Sequence, residues 1–252
     1  MQKIRNDVQM RSIYKTVCAS VLSAIMFSNQ VFAYGTVYTN IPNEHLYTPM
    51  GYIWYSQSGY QDQQSIGYWD GYNRYYKGDS TVMSSPTMSG CGPISFAIIA
   101  SNCRNELITP EETIQYFCDT GLYTGNGSSH NCGIKAAKKY GLNYEQPSNQ
   151  VHENRLLDQD IEVEWMRKHL EQGHWIQILV KKRPNVKNSI WSYSGGHYVA
   201  IHGYNNGKTY IYDSSRKDYL EVPMDLVEVW QNIRHPFADG CGNGIRHMTA
   251  IW

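Results

Sequence analysis

The chain has 252 residues, and its 22 basic and 22 acidic side chains give a formal net charge of zero. No basic stripe is present, which argues against a nucleic-acid partner and against binding to an anionic membrane surface. With 41% hydrophobic residues, the chain is long enough for one domain with a substantial core.

The N terminus has the pattern of a secretory signal peptide. A basic region precedes an apolar segment, residues 17–27, which is short beside the roughly 20 residues that span a membrane. Val31 and Ala33 suit the −3 and −1 positions of a cleavage site before Tyr34. An uncleaved signal anchor is the alternative. We expect cleavage, no stable membrane span afterwards, and a mature protein that is secreted or associated with the cell surface.

Export changes the pairing that is expected of the cysteines. Cys18 leaves with the signal peptide, and an odd number of cysteines remains. In an oxidising compartment four of them can pair, which leaves one free and reactive thiol. Composition does not select that thiol. The five cysteines of the mature chain are Cys91, Cys103, Cys118, Cys132 and Cys241.

Four helices are predicted before the last third of the chain. Pro93 stands just inside the start of the first helix, which is apolar and should be buried. Thr109 suits the N-cap of the second helix, and Gly121 closes it. The predicted helices are residues 94–103, 109–121, 132–141 and 160–173.

After the fourth helix the hydrophobic pattern changes to that of strands. Apolar residues either alternate or follow one another over short segments, as in the strands of one sheet. Helices first and antiparallel strands second indicate an α+β fold. The predicted strands are residues 175–180, 197–204, 209–213 and 246–252.

The stretch SGCGPISFAII (residues 89–99) places Cys91 between two glycines at a helix start. Unpaired backbone N–H groups and the helix dipole stabilise a thiolate at this position, and they also stabilise an oxyanion. Gly90 and Gly92 would leave room for a substrate carbonyl. A structural cysteine beside a glycine turn is the alternative from this stretch alone.

A thiolate nucleophile needs a base and a group that orients the base. His197 follows two glycines at the start of a predicted strand, whereas His202 lies five positions on and hence on the opposite face. A turn at residues 204–208 would bring Asp213 beside His197, because adjacent antiparallel strands lie about 5 Å apart. With Cys91, these residues have the types required of nucleophile, base and orienting group.

Together these segments resemble the C39-like branch of the papain-like cysteine peptidases. The resemblance is carried by SGCGPISFAIIA, ITPEET and GGHYVAIHGYNNGKTYIYD, and it spans residues 57–213. In that family GCGP opens the nucleophile helix, a G-H strand start supplies the base, and an acidic or amide residue after the next strand orients it. The resemblance implies a papain-like fold, in which the nucleophile helix and further helices pack on a C-terminal antiparallel sheet.

The family also uses a glutamine upstream of the cysteine to complete the oxyanion hole, often followed by four residues and a tryptophan. Gln64 and Trp69 have that spacing, so the resemblance implies Gln64 as the oxyanion donor. Gln57, Gln61 and Gln63 are alternatives in the same run.

The chain differs from the family pattern in its additional cysteines, which suit an extracellular setting. As a hypothesis, Cys103 pairs with Cys118 between neighbouring helices, and Cys132 pairs with Cys241. Four cysteines allow three connectivities, and the sequence does not choose among them.

The predicted domains are a signal peptide (1–33), an N-terminal extension (34–56) and a C39-like peptidase domain (57–252). The aromatic-rich region 45–76 is either a packed part of the extension or a groove that binds glycan. No cofactor or metal is expected, because the SHNC fragment (129–132) lacks a second Cys/His pair at zinc-finger spacing.

We therefore expect a secreted cysteine hydrolase that cleaves peptide bonds through a Cys-His-Asp triad and a thioester acyl-enzyme. The substrate would be a peptide or protein, including cell-wall peptide. A cell-wall amidase or endopeptidase, or a transglutaminase-like acyl transferase, would use the same triad on the same scaffold. A non-catalytic module that binds glycan or protein is the more distant alternative.

Overall fold

The computed structural model describes residues 45–57, 90–124, 127–147, 155–182, 190–192, 195–234 and 247–252. All of them lie in one unit, Asn43–Trp252. The predicted signal peptide, Gln64 and Cys241 lie outside the described residues. Among the described helices, none is long and apolar enough to cross a membrane.

The helical part of the α+β prediction is confirmed. The first helix begins at Cys91, three residues earlier than predicted, so that Pro93 occupies its third position. The last helix was not predicted; it is short, and its N-cap Asp225 accepts hydrogen bonds from the N–H groups of Val227 and Glu228. The described helices are α1 (Cys91–Arg104), α2 (Pro110–Asp119), α3 (Cys132–Lys139), α4 (Arg155–Glu171) and α5 (Leu226–Asn232).

The described strands form two small hairpins and one antiparallel sheet of six strands. The strands of the hairpins are β1 (His45–Tyr47), β2 (Ile53–Tyr55), β3 (Tyr123–Thr124) and β4 (Gly127–Ser128). Those of the sheet are β5 (Tyr144–Glu145), β6 (Trp175–Val180), β7 (His197–Asn205), β8 (Lys208–Tyr212), β9 (Pro223–Asp225) and β10 (Met248–Ile251). The hairpins are β1–β2 and β3–β4, and the order of strands across the sheet is β5-β10-β6-β7-β8-β9, so the four predicted strands form its centre.

The sheet separates α1 from α4 and α5. Ile176 and Ile178 of β6 belong to a core cluster that also contains residues of α4 and α5. Gln177, between them, reaches α1 by hydrogen bonds. Because side chains alternate along a strand, α1 lies on the opposite face from α4 and α5. The residues of α1 from Cys91 to Ser101 are all buried.

The turn between β7 and β8 confirms the predicted hairpin. Asn206 and Gly207 have φ values of 49° and 82°. Two consecutive positive φ angles are typical of the type I′ turn, whose twist matches that of antiparallel strands. The strands pair with Ala200 opposite Tyr212, so the residue after β8, Asp213, comes near the start of β7.

The β1–β2 hairpin is attached to α1 and to the end of β8. The Asn102 side chain acts as a strand partner, because Oδ1 accepts from the N–H of Ile53 at 2.8 Å and Nδ2 donates to the Ile53 carbonyl at 2.9 Å. Trp54 Nε1 donates to the Asp213 carbonyl at 3.1 Å. The described part of the predicted N-terminal extension thus packs against the predicted nucleophile helix.

The hypothetical disulfides are not formed. Cys103 and Cys132 are free thiols, as is Cys91. Cys103 Sγ faces the Ile251 carbonyl at 3.7 Å, whereas Cys132 Sγ faces Gln177 Oε1 at 3.9 Å. Each of these two thiols therefore contacts an oxygen of another residue, while Cys241 and the side chain of Cys118 lie outside the described part of the structure.

Candidate active site

Cys91 is the first residue of α1, where the helix leaves backbone donors without intrahelical partners. Gly90 provides no side-chain cap. Pro93 has no N–H, and the N–H of Ile94 already donates to the Gly90 carbonyl at 3.1 Å. The N–H groups of Cys91 and Gly92 are therefore the donors of the first turn that lie closest to the thiol and suit an oxyanion.

Gly92 makes room for β4 rather than for substrate. A Cβ at this position would overlap the Ser128 hydroxyl, and it would lie 3.4 Å from the Tyr198 ring. On the other side, Gln177 Nε2 donates to the Gly92 carbonyl at 3.0 Å and to Ser95 Oγ at 2.8 Å. These contacts fix the first turn of α1 between β4 and the sheet.

His197 is the first residue of β7, and it is almost fully buried. Its Nε2 donates to Asp213 Oδ1 at 2.6 Å, across sixteen residues of sequence. The same ring makes a hydrogen bond with the Cys91 side chain. Because Nε2 faces the carboxylate, Nδ1 is the nitrogen that remains for the thiol. The structure thus brings Cys91, His197 and Asp213 together.

The carboxylate of Asp213 is completely buried and accepts four hydrogen bonds. Oδ1 accepts from His197 and from both the N–H and the hydroxyl of Ser215, each of the latter at 2.9 Å. Oδ2 accepts from Trp191 Nε1 at 2.9 Å. Neither Trp191 nor Ser215 was predicted as part of the site, although aspartate side chains often accept from the backbone two residues further on, as Asp213 does here.

The electrostatics of the pair follow from burial and opposite charge. Burial lowers the pKa of His197, but the charge and hydrogen bond of Asp213, joined by those of Cys91, raise it to about 10. Burial raises the pKa of Asp213, but the charge and hydrogen bond of His197 and the hydrogen bonds of Ser215 lower it by more. The pKa of Asp213 therefore lies below its usual range. The imidazolium therefore stabilises the fold fully below pH 6.5, and this contribution is lost as the pH rises through about 10.

His202 lies away from this pair, as the alternation of β7 predicts. Its ring stacks on Trp175 with the centroids 4.2 Å apart, and its Nε2 is 3.0 Å from the Tyr52 hydroxyl. Burial lowers its pKa to about 4. His202 is therefore a neutral core residue.

Gln64, the predicted oxyanion donor, lies outside the described residues, but the alternative Gln57 is described. Gln57 is buried, and its N–H donates to the Ser214 carbonyl at 2.6 Å. Ser214 Oγ donates in turn to Gln57 Oε1 at 3.1 Å. Since Ser214 follows Asp213, the Gln57 amide is fixed beside the residues that orient His197.

Comparison with known proteins agrees with this geometry. The pattern of the Peptidase_C39 like family matches residues 73–236, a range that includes Cys91, His197 and Asp213. The chain belongs to this family. It is therefore a cysteine peptidase, and its substrate is a peptide or protein.

One solved structure to which the chain is similar is the crystal structure of the peptidase domain of Streptococcus ComA, a bi-functional ABC transporter involved in a quorum sensing pathway. The identity is 15%, the TM-score is 0.35, and the match covers 64% of this chain and 88% of that chain. Among curated proteins, none matches the chain.

The substitution Asp213→Asn tests the electrostatic pairing. Without the carboxylate charge the pKa of His197 should fall from about 10 by about one to three units, because the imidazolium loses its main stabilising partner. NMR titration of the His197 ring measures this change. The variant His202→Gln serves as the control, since that ring does not contact Asp213. An unchanged His197 pKa in Asp213→Asn would contradict the assignment.

Proposed function

We propose that the protein is a secreted peptidase in which Cys91 is the nucleophile, His197 the general acid and base, and Asp213 the residue that orients His197. The observation that carries the proposal is the convergence of a cysteine at a helix N terminus with a histidine that hydrogen-bonds both the cysteine and a buried carboxylate. Nucleophilic catalysis by a thiolate requires this set of groups.

The reaction follows from these positions. The Cys91 thiolate attacks the carbonyl carbon of the substrate amide, and the carbonyl oxygen becomes an oxyanion. His197 then transfers a proton to the leaving nitrogen, the C–N bond breaks, and the acyl group remains on sulfur as a thioester. A water molecule gives a proton to His197 while it attacks the thioester. The carboxylic acid product leaves, and the thiolate–imidazolium pair is restored.

The oxyanion needs donors at the point where its charge develops. The N–H of Cys91 is one donor by its position at the helix start. For the second donor we propose Gln57, because Ser214 holds its Oε1 and so orients the Nε2 group. The family spacing still predicts Gln64 as this donor. Mutation of each glutamine in turn distinguishes between the two candidates.

Cys91→Ala tests the nucleophile. The variant should lose all covalent labelling by a thiol-directed peptidyl electrophile, as measured by mass spectrometry of the intact protein. Burial raises the pKa of both Cys103 and Cys132 to about 12, so these thiols should not substitute for Cys91. Cys103→Ala is the matched control and should be labelled like the wild type. Labelling that persists in folded Cys91→Ala would exclude Cys91 as the nucleophile.

Parallel variants Gln57→Ala and Gln64→Ala test the oxyanion donor. Removal of the true donor should lower kcat about 10²–10³-fold with little change in KM, because the bond forms mainly in the transition state. We expect this loss in Gln57→Ala and only a small change in Gln64→Ala, measured with a quenched fluorescent peptide. The reverse pattern would assign the role to Gln64.

Secretion is the part of the proposal that rests on the N-terminal sequence. The basic region, the apolar segment and Ala33 before Tyr34 predict cleavage by signal peptidase. The exported protein should therefore begin at Tyr34, as determined by mass spectrometry of its N-terminal peptide, and Ala33→Leu should slow the cleavage. An exported protein that retains residues 1–33 would indicate a signal anchor instead.

A further inference from the structure

A second group of polar side chains lies beside the nucleophile, on β4 and the turn after it. Ser128 abuts Gly92, the residue that follows Cys91. The Tyr198 hydroxyl donates to the Ser129 carbonyl at 3.0 Å, which attaches this turn to β7 one residue after His197. The segment 128–130 therefore lies next to the first turn of α1 and to the side chain of Tyr198.

Arg234 approaches the same place from the sheet. Its backbone N–H donates to the Leu179 carbonyl at 2.8 Å, and Leu179 pairs with Tyr198. Its Nη1 lies 3.8 Å from the position that a Cβ on Gly196 would occupy. Since Gly196 directly precedes His197, the guanidinium lies next to the start of the strand that carries the base.

Two histidines connect Arg234 with the turn after β4. The rings of His130 and His247 lie with their centroids 3.8 Å apart. Burial and the positive charge of Arg234 both lower the pKa of His130, so the guanidinium charge acts on this ring. The His247 carbonyl accepts from the N–H of Leu179 at 2.8 Å. His247 and Arg234 are therefore both hydrogen-bonded to the same residue of β6.

These residues form what we call the Arg234 cluster: Ser128, His130, Arg234 and His247. Arg234 gives the cluster a positive charge. His130 is exposed, so the cluster is open to solvent. Ser128 Oγ is buried and has no hydrogen-bond partner among the described residues. A buried hydroxyl without a hydrogen-bond partner is unfavourable, so a ligand that accepts its proton gains from binding there.

We propose that the Arg234 cluster binds a carboxylate of the peptide substrate next to the scissile bond. Arg234 supplies the positive charge and planar N–H donors that suit a carboxylate, while the Ser128 hydroxyl and a ring N–H of His130 supply further donors. This inference rests on the proposed function and names the class of its substrate. The carboxylate belongs either to an acidic side chain or to a free C terminus, which share the same chemistry.

Competition between matched peptides tests this inference. One peptide library carries glutamate or glutamine at each position in turn, and a second ends in a free carboxylate or an amide. For the wild type, we expect kcat/KM to be about tenfold or more higher for the acidic peptide than for its neutral counterpart, either at one glutamate position or at the free C terminus. A factor of this size corresponds to one hydrogen bond to a charged group. The library that shows the preference identifies the source of the carboxylate.

The variants assign the preference to Arg234. Arg234→Gln should abolish it, and Arg234→Lys should keep part of it. Arg167→Gln is the matched control, because Arg167 lies on α4 and pairs with Glu164 and Glu171, and it should retain the full preference. His130→Glu places a negative charge opposite Arg234 on an exposed residue, so it should remove the preference even if Arg234→Gln does not fold.

The outcomes separate this inference from the proposed function. If wild-type protein hydrolyses neutral and acidic peptides equally, or if Arg234→Gln and His130→Glu keep the preference, the carboxylate site is wrong while the peptidase assignment stands. If wild-type protein hydrolyses neither library and iodoacetamide fails to alkylate Cys91, the proposed function itself is wrong.

Discussion

The buried carboxylate of Asp213 is the constraint on which the rest of the site depends. A charge without solvent exposure is costly unless it is paired and fully hydrogen-bonded. Asp213 meets this requirement with an imidazolium on one side and with Trp191 and Ser215 as further donors. Its backbone carbonyl is in turn held by Trp54. The donors of Trp191, His197 and Ser215 therefore converge on one carboxylate, and this carboxylate fixes the ring of His197.

Cys91, the proposed nucleophile, is positioned by the face of the sheet on which α1 packs. Gln177 extends from β6 to the first turn of α1, and Ser128 closes against Gly92 from the other side. Close packing on both sides leaves the helix start little freedom to shift. Burial raises the pKa of Cys103 and Cys132, whereas Cys91 contacts a histidine whose own pKa is raised, and this contrast supports Cys91 as the proposed reactive thiol among those described.

Much of the site was predictable because its central contact is local. The turn at Asn206 and Gly207 needs positive φ angles that these residues accept, and it fixes the register that brings Asp213 near His197. The periodicity of the apolar residues also predicted the first four helices and the central strands, but not the short helix α5. Less was predictable at the ends of the sheet, where β5 and β9 are too short to show a period.

The sequence by itself determined the first four helices, the central strands, the helix-start cysteine and the strand pair that joins His197 to Asp213, because each depends on residues close in the chain. Only the tertiary structure decided that Trp191 completes the hydrogen bonds of Asp213, that Gln57 lies beside Ser214, that Gly92 accommodates Ser128, and that Cys103 and Cys132 remain thiols. Gln57 and Ser214, for example, are 157 residues apart. Such contacts depend on how the layers pack, and no local pattern of residues encodes them.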